Sequence, residues 1–331
     1  MKCAVVGAGA WGTALADLLR RNGHDVNVWA FEPDVAESIR ETRENKRFLK
    51  GNKLAPGIAA SNDLAAVLNG ANLVVFATPS QVLRAIASKA AECFPNGAPS
   101  IVATKGLEMG TFALMTDVVR TEIPQSPVVA LSGPSFAVEV VRCLPTAVVI
   151  ASENSAAAAT AQKTFNSPYF RTYTHNDVIG VELGGALKNV MAVATGVCDG
   201  LGLGFNARAA LITRGLAEMT RLGVALGADA RTFAGLAGVG DLVLTCTGSL
   251  SRNREVGVEV GKGRPLDEVL KERETVAEGV VAARSAKALA ARQDVAMPIV
   301  EAVNRVLFEN QPPREAMAEL MNRELRAEVD R

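Results

Sequence analysis

Apolar residues along this chain follow two rhythms, one after the other. Over the first half, short β-branched runs alternate with longer stretches in which apolar positions recur every three or four residues. The runs KCAVV (2–6), DVNVWA (25–30), NLVVFAT (72–78), SIVATK (100–105), VVALSG (128–133) and TAVVIA (146–151) read as strands. Runs of this length and composition fit strands buried on both faces. Between most of them lie helical patterns: from Trp11 to Asn22, in DVAESIRETREN, and in SQVLRAIASKAAECF, where Ser80 is placed to cap. SENSAAAATAQ is alanine-rich but reads as one more capped helix. This alternation predicts a parallel sheet covered by helices on both faces.

After about residue 177 the strand rhythm stops. The remainder of the chain is helix rich in Ala, Leu and Gly, in segments near 178–196, 206–226, 254–262, 279–292 and 298–308, with no internal repeat. A chain of 331 residues is long for one core. The expectation is therefore an α/β chain of two domains: a doubly wound N-terminal domain over residues 1–177 and an all-helical C-terminal domain over 178–331. Such a boundary is placed to within about four residues.

Composition narrows the function. Hydrophobic residues at 49% and charged residues at 21% describe a globular chain, not a disordered one. Thirty-five basic residues offset thirty-five acidic ones. A neutral chain has no global field for nucleic acid or an anionic membrane, so any phosphate must be bound locally. The five cysteines (Cys3, Cys93, Cys143, Cys198, Cys246) lack CxxC spacing, which argues against a disulfide framework and a structural zinc. They read as reduced, small core residues. MKCAVVGAG enters a strand at once, leaving no room for a signal peptide. The apolar run NVMAVATGVC ends at Asp199, short of the roughly 20 residues of a membrane span. A cytoplasmic protein without membrane insertion is expected. Only His24 and His175 are available as histidine bases, and both read as surface or turn residues. Proton chemistry would then fall to another residue type.

VVGAGAWG sets Gly7, Gly9 and Gly12 in GxGxxG spacing, with a strand before and a helix after. Gly7 serves a tight turn, Gly9 the close approach of a pyrophosphate, and Gly12 the packing of helix on strand, so the helix N-terminus faces the phosphates. This context makes the first domain a dinucleotide-binding Rossmann domain.

Four further stretches have the wrong composition for plain core. ATKGLEMG puts Lys105 at the carboxyl end of a strand, where ligands of open α/β sheets gather. LSGPSFA ends another strand with small residues around Gly133 and Ser135. GVGDLVLTCTGSLSRNREVG joins a glycine-flanked Asp241 to Ser251, Arg252, Asn253 and Arg254. Ser251 fits a helix cap, although no Glu or Gln follows three residues on; arginine, asparagine and free amides at a helix start equally fit a phosphate. In ELGGALKNV, Lys188 has no carboxylate at three or four residues' distance. It is either a lysine snorkelling to water or an acid/base whose pKa is lowered by burial and a neighbouring cation such as Lys105. The glycine-rich flank and the shortage of histidines favour the second.

Taken together, GAGAWGTALA, PSQVLR, TKGLE, SGPSFA, ELGGALKNV, AGVGDLVLTCTGSLSRN and VAEG, in that order, resemble the NAD(P)-dependent glycerol-3-phosphate dehydrogenases of the soluble bacterial type. The resemblance implies that Lys188 is the catalytic proton acceptor, and that Lys105, Gly133, Ser135, Lys188, Asp241, Ser251, Arg252 and Asn253 contact substrate. It implies cofactor contacts at Ala10, Trp11, Phe31, Lys105, Ala137, Arg252 and Glu278, beside the glycines Gly7, Gly9 and Gly12. The implied reaction is reversible NAD(P)H-dependent reduction of dihydroxyacetone phosphate to sn-glycerol 3-phosphate, supplying glycerophospholipid synthesis. Its partner is a small phosphorylated triose, with no nucleic acid and no metal, and the family leads one to expect a homodimer.

One departure concerns the cofactor. Bacterial members follow the second strand with a basic residue, whereas this chain reads WAFEPD. Phe31 and Glu32 resemble the eukaryotic, NAD-using branch, so NAD is expected to serve at least as well as NADP. Two other readings share parts of the pattern. A related β-hydroxyacid dehydrogenase would have the Rossmann domain and a lysine next to asparagine, without needing SRN or GDLVLTCT. A non-catalytic dinucleotide sensor would need neither Lys188 nor Asp241.

Overall fold

The computed structural model describes residues 1–273, 277–325 and 327–328. Val276 of the VAEG stretch, and residues 326 and 329–331 of the expected helical domain, lie outside the described residues. Eight strands form one sheet: β1 (Lys2–Val6), β2 (Asp25–Trp29), β3 (Ile58–Ser61), β4 (Leu73–Phe76), β5 (Ser100–Val102), β6 (Val128–Ser132), β7 (Thr146–Ala151) and β8 (Phe170–His175). Their order is β3-β2-β1-β4-β5-β6-β7-β8. The chain reverses direction across the sheet between β1 and β4, which creates the crevice where open α/β sheets bind ligands. The strands β4, β5 and β6 are buried along their whole length, and β1 along all but its first residue, as continuous apolar runs require.

Three features differ from the sequence expectation. β3 and β8 are absent from the predicted strands, and both lie at sheet edges. Each alternates buried and exposed positions, as in Phe170, Arg171, Thr172 and Tyr173, so neither shows the apolar run of a central strand. The third is direction: β7 pairs with β6 antiparallel, while every other neighbouring pair is parallel. Only the five-residue helix Ala137–Val141 lies between β6 and β7, consistent with an antiparallel pair needing no full crossover.

β8 ends at His175, and the helix Val178–Gly200 begins after Asp177, whose carboxylate accepts the Gly180 N–H at 2.8 Å. This 23-residue helix is the axis of the second half. Among the described residues it is long and apolar enough to cross a membrane, with mean hydropathy 1.3, but 94% of that stretch is buried within the protein. The run NVMAVATGVC covers only the C-terminal part of this helix, so the apolar length is greater than that run suggests. The helices Gly204–Ala225, Arg252–Gly261, Glu278–Arg292 and Pro298–Phe308 match the expected segments. Asp241–Thr247, Leu266–Lys271 and Pro313–Met321 are additional.

Glycines decide how closely the helices approach. A Cβ at Gly196 would stand 2.1 Å from the Arg254 carbonyl oxygen, and one at Gly257 the same distance from that of Val193. At Gly200 and Gly261, one turn further along each helix, a Cβ would stand 2.3 Å from the Val258 oxygen and 2.5 Å from that of Val197. Helix Arg252–Gly261 therefore lies backbone to backbone on the central helix. This carries the SRN stretch to the helix that holds Lys188.

Candidate active site

The site has two walls, one from the sheet's carboxyl edge and one from the helical domain. On the sheet side, Gly7 follows β1 with φ +114°, and a Cβ there would press to 2.8 Å against the Ala77 carbonyl oxygen beyond β4. A Cβ at Gly12 would stand 1.9 Å from the Gly7 oxygen, so only glycine lets helix Ala10–Arg21 pack on its own loop. Gly9 differs: a Cβ there would meet nothing within 4 Å. It faces open space, at a helix start where no side chain caps the free amides. The indole N–H of Trp11 and the hydroxyl of Thr78 are buried close by without a hydrogen-bond partner among the described residues. A glycine cradle, uncapped amides and unmatched polar atoms fit the dinucleotide that GxGxxG predicts. Asn45 shapes the cradle from outside, donating to the Ala8 carbonyl at 2.7 Å and to Thr13 Oγ1 at 2.9 Å.

Beyond β2, Phe31 is 76% exposed and meets Trp29 edge-on with ring centroids 6.3 Å apart. Glu32 occupies the N-cap position of helix Pro33–Thr42, yet its side chain makes no cap bond. Arg40 is committed to the Ala60 carbonyl at 2.9 Å, while Arg43 has a left-handed backbone conformation.

The chemical centre is a triad of charges. Lys105 Nζ donates to Asp241 Oδ2 at 2.8 Å and to the Gly133 carbonyl at 3.0 Å. Lys188 Nζ donates to the other carboxylate oxygen, Asp241 Oδ1, and to Thr245 Oγ1 at 2.9 Å. Asp241 is fully buried and Lys188 is 7% exposed. Lysine is rarely buried so deeply unless paired. Snorkelling is therefore excluded for Lys188. Burial lowers its pKa from 10.5 to about 8, opposed by the attraction of Asp241 and assisted by the nearby Lys105 cation. A lysine poised there can give a proton as the ammonium and take one as the neutral amine near neutral pH.

Local structure explains this meeting. A five-residue π-helical turn, Leu236–Gly240, leads straight into Asp241 at the start of helix Asp241–Thr247. A Cβ at Gly184 would stand 2.3 Å from the Ala237 oxygen of that turn. One at Gly185 would stand 2.7 Å from Ser132 Oγ and 3.5 Å from the Lys105 side chain. The two glycines of ELGGALKNV thus admit the π turn on one side and the Lys105 stem on the other.

Gly133, Ser135 and Ala137 follow β6, and Ser251, Arg252 and Asn253 begin the helix Arg252–Gly261. Gly133 has φ +136° and orients Lys105 through its carbonyl, which also accepts the Ser135 hydroxyl at 3.1 Å. Ala137 opens the short helix after β6. Ser251 caps helix Arg252–Gly261, its Oγ accepting the Arg254 N–H at 3.3 Å, so the capping alternative holds for this residue. Arg254 pairs with Asp199 at 2.7 Å and belongs to the framework. Arg252 stands exposed, and among the described residues its guanidinium has no hydrogen-bond or ion-pair partner. Asn253 spends its amide on neighbours, donating to Asn189 Oδ1 at 3.0 Å and accepting the Gly279 N–H at 2.9 Å. It ties three helices together. Glu278 accepts the Ser80 hydroxyl at 2.6 Å and the Ser80 N–H at 3.2 Å. Ser80 therefore makes an interdomain contact instead of the expected cap.

Sequence reasoning missed Thr245, Asn189, Thr78 and Asn45. Thr245 was legible: it lies four residues after Asp241, on the same helix face. Neither histidine is near Lys188; His24 contacts the Thr164 carbonyl and His175 accepts the Asp177 N–H. All five cysteines are free thiols, three of them buried. Among the described residues, no group of three His, Cys, Asp or Glu could hold a metal.

Known proteins share this architecture along nearly the whole chain. The profile for the NAD-dependent glycerol-3-phosphate dehydrogenase N-terminus matches residues 2–158, and that for the C-terminus matches residues 177–318. The chain is 54% identical to glycerol-3-phosphate dehydrogenase [NAD(P)+] of Geobacter sulfurreducens over 329 residues, covering 98% of each. It is 52% identical to the protein of the same name from Geobacter sp. strain M21 over 330 residues, covering 99% of this chain and 98% of that one. The crystal structure of glycerol-3-phosphate dehydrogenase from Coxiella burnetii superposes with TM-score 0.94 at 40% identity, covering 97% of this chain and 99% of that chain.

The shared carboxylate makes a stability prediction. Asp241→Asn leaves the buried Lys188 and the half-buried Lys105 without their common counter-charge, and should lower unfolding free energy at pH 7 by about 3 kcal/mol or more. Urea denaturation followed by circular dichroism measures this. A loss under about 1 kcal/mol would show that the lysines do not depend on Asp241.

Proposed function

The chain belongs to the NAD-dependent glycerol-3-phosphate dehydrogenase family, and from that premise we propose that it reversibly reduces C2 of dihydroxyacetone phosphate, giving sn-glycerol 3-phosphate, with Lys188 as its acid/base. The observation that carries this division of labour is the pair of lysines sharing one buried carboxylate beside the nucleotide cradle. When bound, the nicotinamide supplies the hydride and takes it back. The protein supplies the rest.

Lys188 has three N–H groups, of which two are held by Asp241 and Thr245. The third is left for the substrate oxygen. In reduction the ammonium protonates the alkoxide forming at C2; in oxidation the neutral amine removes that proton. Lys105 adds positive charge beside the developing alkoxide without needing reorganisation. Arg252, without a protein partner among the described residues, is the cation best placed for the phosphate, next to the amides of its helix start. Ser135 contributes a hydroxyl, Ser251 caps the helix start that presents Arg252, and Asn253 holds that helix. Trp11, Ala137 and Glu278 are assigned to the cofactor side with the glycines, and Lys105 and Arg252 to both ligands. We place the protein in the cytoplasm as a homodimer that takes a small phosphorylated triose as substrate and supplies glycerophospholipid synthesis.

Arg252→Ala tests the phosphate assignment. With dihydroxyacetone phosphate, kcat/KM should fall by roughly 2–3 kcal/mol in transition-state terms, and much less with dihydroxyacetone, followed by loss of nicotinamide absorbance. Equal losses for both substrates would move Arg252 to the cofactor or the fold. Activity with short oxo acids but not with the triose phosphate would favour the β-hydroxyacid reading.

Cofactor choice rests on the end of β2. A carboxylate there favours a free ribose 2′-hydroxyl, whereas arginine favours a 2′-phosphate. Phe31 offers no charge, Glu32 offers the wrong one for a phosphate, and Arg40 is held by Ala60. NADH should therefore be used at least as well as NADPH at fixed dihydroxyacetone phosphate. A tenfold preference for NADPH, about 1.4 kcal/mol, would contradict this; Phe31→Arg with Glu32→Arg should shift the ratio toward NADPH.

A further inference from the structure

Lys105 lies on an irregular turn beyond β5, which pairs with its own return segment through the Leu107–Leu114 bridge and is held on another side by the segment after β4. The segment after β4, PSQVLR, grips it at three successive places. A Cβ at Gly106, whose φ is +154°, would stand 2.7 Å from the Ser80 Cβ, so the turn rests directly on Ser80. Gln81 Nε2 donates to the Leu107 carbonyl at 2.9 Å, and its Oε1 accepts the Met109 N–H at 3.0 Å. Arg84 then holds Glu108 through two bonds, of 2.7 and 2.8 Å. Leu107 itself is buried in the core of the helical domain.

Gln81 also donates to Ser80 Oγ at 3.0 Å, and Ser80 in turn donates to Glu278 Oε2 at 2.6 Å. The result is a directional chain of hydrogen bonds from the Lys105 turn to the helical domain. Both donors and the acceptor of the Gln81 amide are engaged, although the residue is exposed. An exposed glutamine has water available for all of these bonds. Its engagement with two backbone groups of one turn fixes that turn's geometry at two points.

We propose that Gln81 is a positioning residue for Lys105: together with Ser80 it sets the turn that aims the lysine at the cleft and couples it to Glu278. The proposal rests on the reading that Lys105 contacts substrate. Gln81 touches neither substrate nor the reacting atoms, so its effect passes through Lys105. Truncating its amide frees the turn to sample other geometries, and the cost falls on capturing the triose phosphate rather than on the proton transfer at Lys188.

Steady-state kinetics of the full-length enzyme with Gln81→Met, Lys105→Met and the double variant test this. Gln81→Met should raise KM for dihydroxyacetone phosphate roughly tenfold, with kcat changed less than about twofold. The Kd for NADH, from fluorescence titration, and Tm should stay at the wild-type value. In the Lys105→Met background the same substitution should add almost nothing, because its target is gone. Ser80→Ala should shift KM in the same direction. An unchanged KM in Gln81→Met beside a raised KM in Lys105→Met would overturn the proposal, as would effects that multiply in the double variant. If Lys105→Met itself left KM unchanged, the reading of Lys105 would fail first and the positioning role with it.

Discussion

Asp241 is the carboxylate on which lysines from both halves of the chain converge. Lys105 reaches it from the sheet's carboxyl edge and Lys188 from the central helix, one on each oxygen. Removing either lysine's charge from water is expensive in isolation. A shared, fully buried carboxylate offsets that cost for both, and so fixes the distance between the two domains at the cleft. The constraint spreads outward. Gly184 and Gly185 are small because the π turn and the Lys105 stem must both approach the central helix there. The glycines of helix Arg252–Gly261 then let that helix lie on the same axis, with Arg252 at its start.

The triad also sets the charge of the cleft. With both lysines protonated, two positive charges meet one negative charge, leaving the triad positive by one, while Arg252 and Glu278 attract each other nearby. A chain of zero net charge thus concentrates positive potential where a dianionic substrate would sit. Burial is the dominant influence that lowers the Lys188 pKa, and Asp241 keeps it from falling further. This balance lets a lysine do what histidine does in many dehydrogenases, and both histidines of this chain are occupied elsewhere.

Much of this was legible in the sequence. The six central strands, the GxGxxG turn and the main helices of the second half follow from hydrophobic rhythm: burial on two faces leaves an apolar run in strands such as β4 and β6, and β2 shows itself by its β-branched and aromatic positions. The edge strands β3 and β8 did not, since half-exposed strands carry polar residues at alternate positions. Lys188, Lys105 and Asp241 stood out as polar residues in apolar or glycine-rich surroundings. That they form one hydrogen-bonded unit could not be read from spacing, because residues 105, 188 and 241 meet only through the tertiary fold. Asn253 and Ser251 were singled out for the right neighbourhood, yet their side chains are committed to helix junction and cap. The roles of Ser80 and Gln81 were invisible for the same reason, as their partners lie on a turn and a helix far along the chain.

The chemistry depends most on Lys188 being the titrating acid/base, and the pH dependence of kcat/KM in both directions tests it most directly. The neutral amine is the base, so oxidation of glycerol 3-phosphate should rise with pH and level off above about 8, while reduction of dihydroxyacetone phosphate should decline above about 8. In Lys188→Met both limbs should vanish, with kcat lower by on the order of 10² or more. A variant that kept the same limb near pH 8, or near wild-type turnover, would contradict the account and assign the proton to another group.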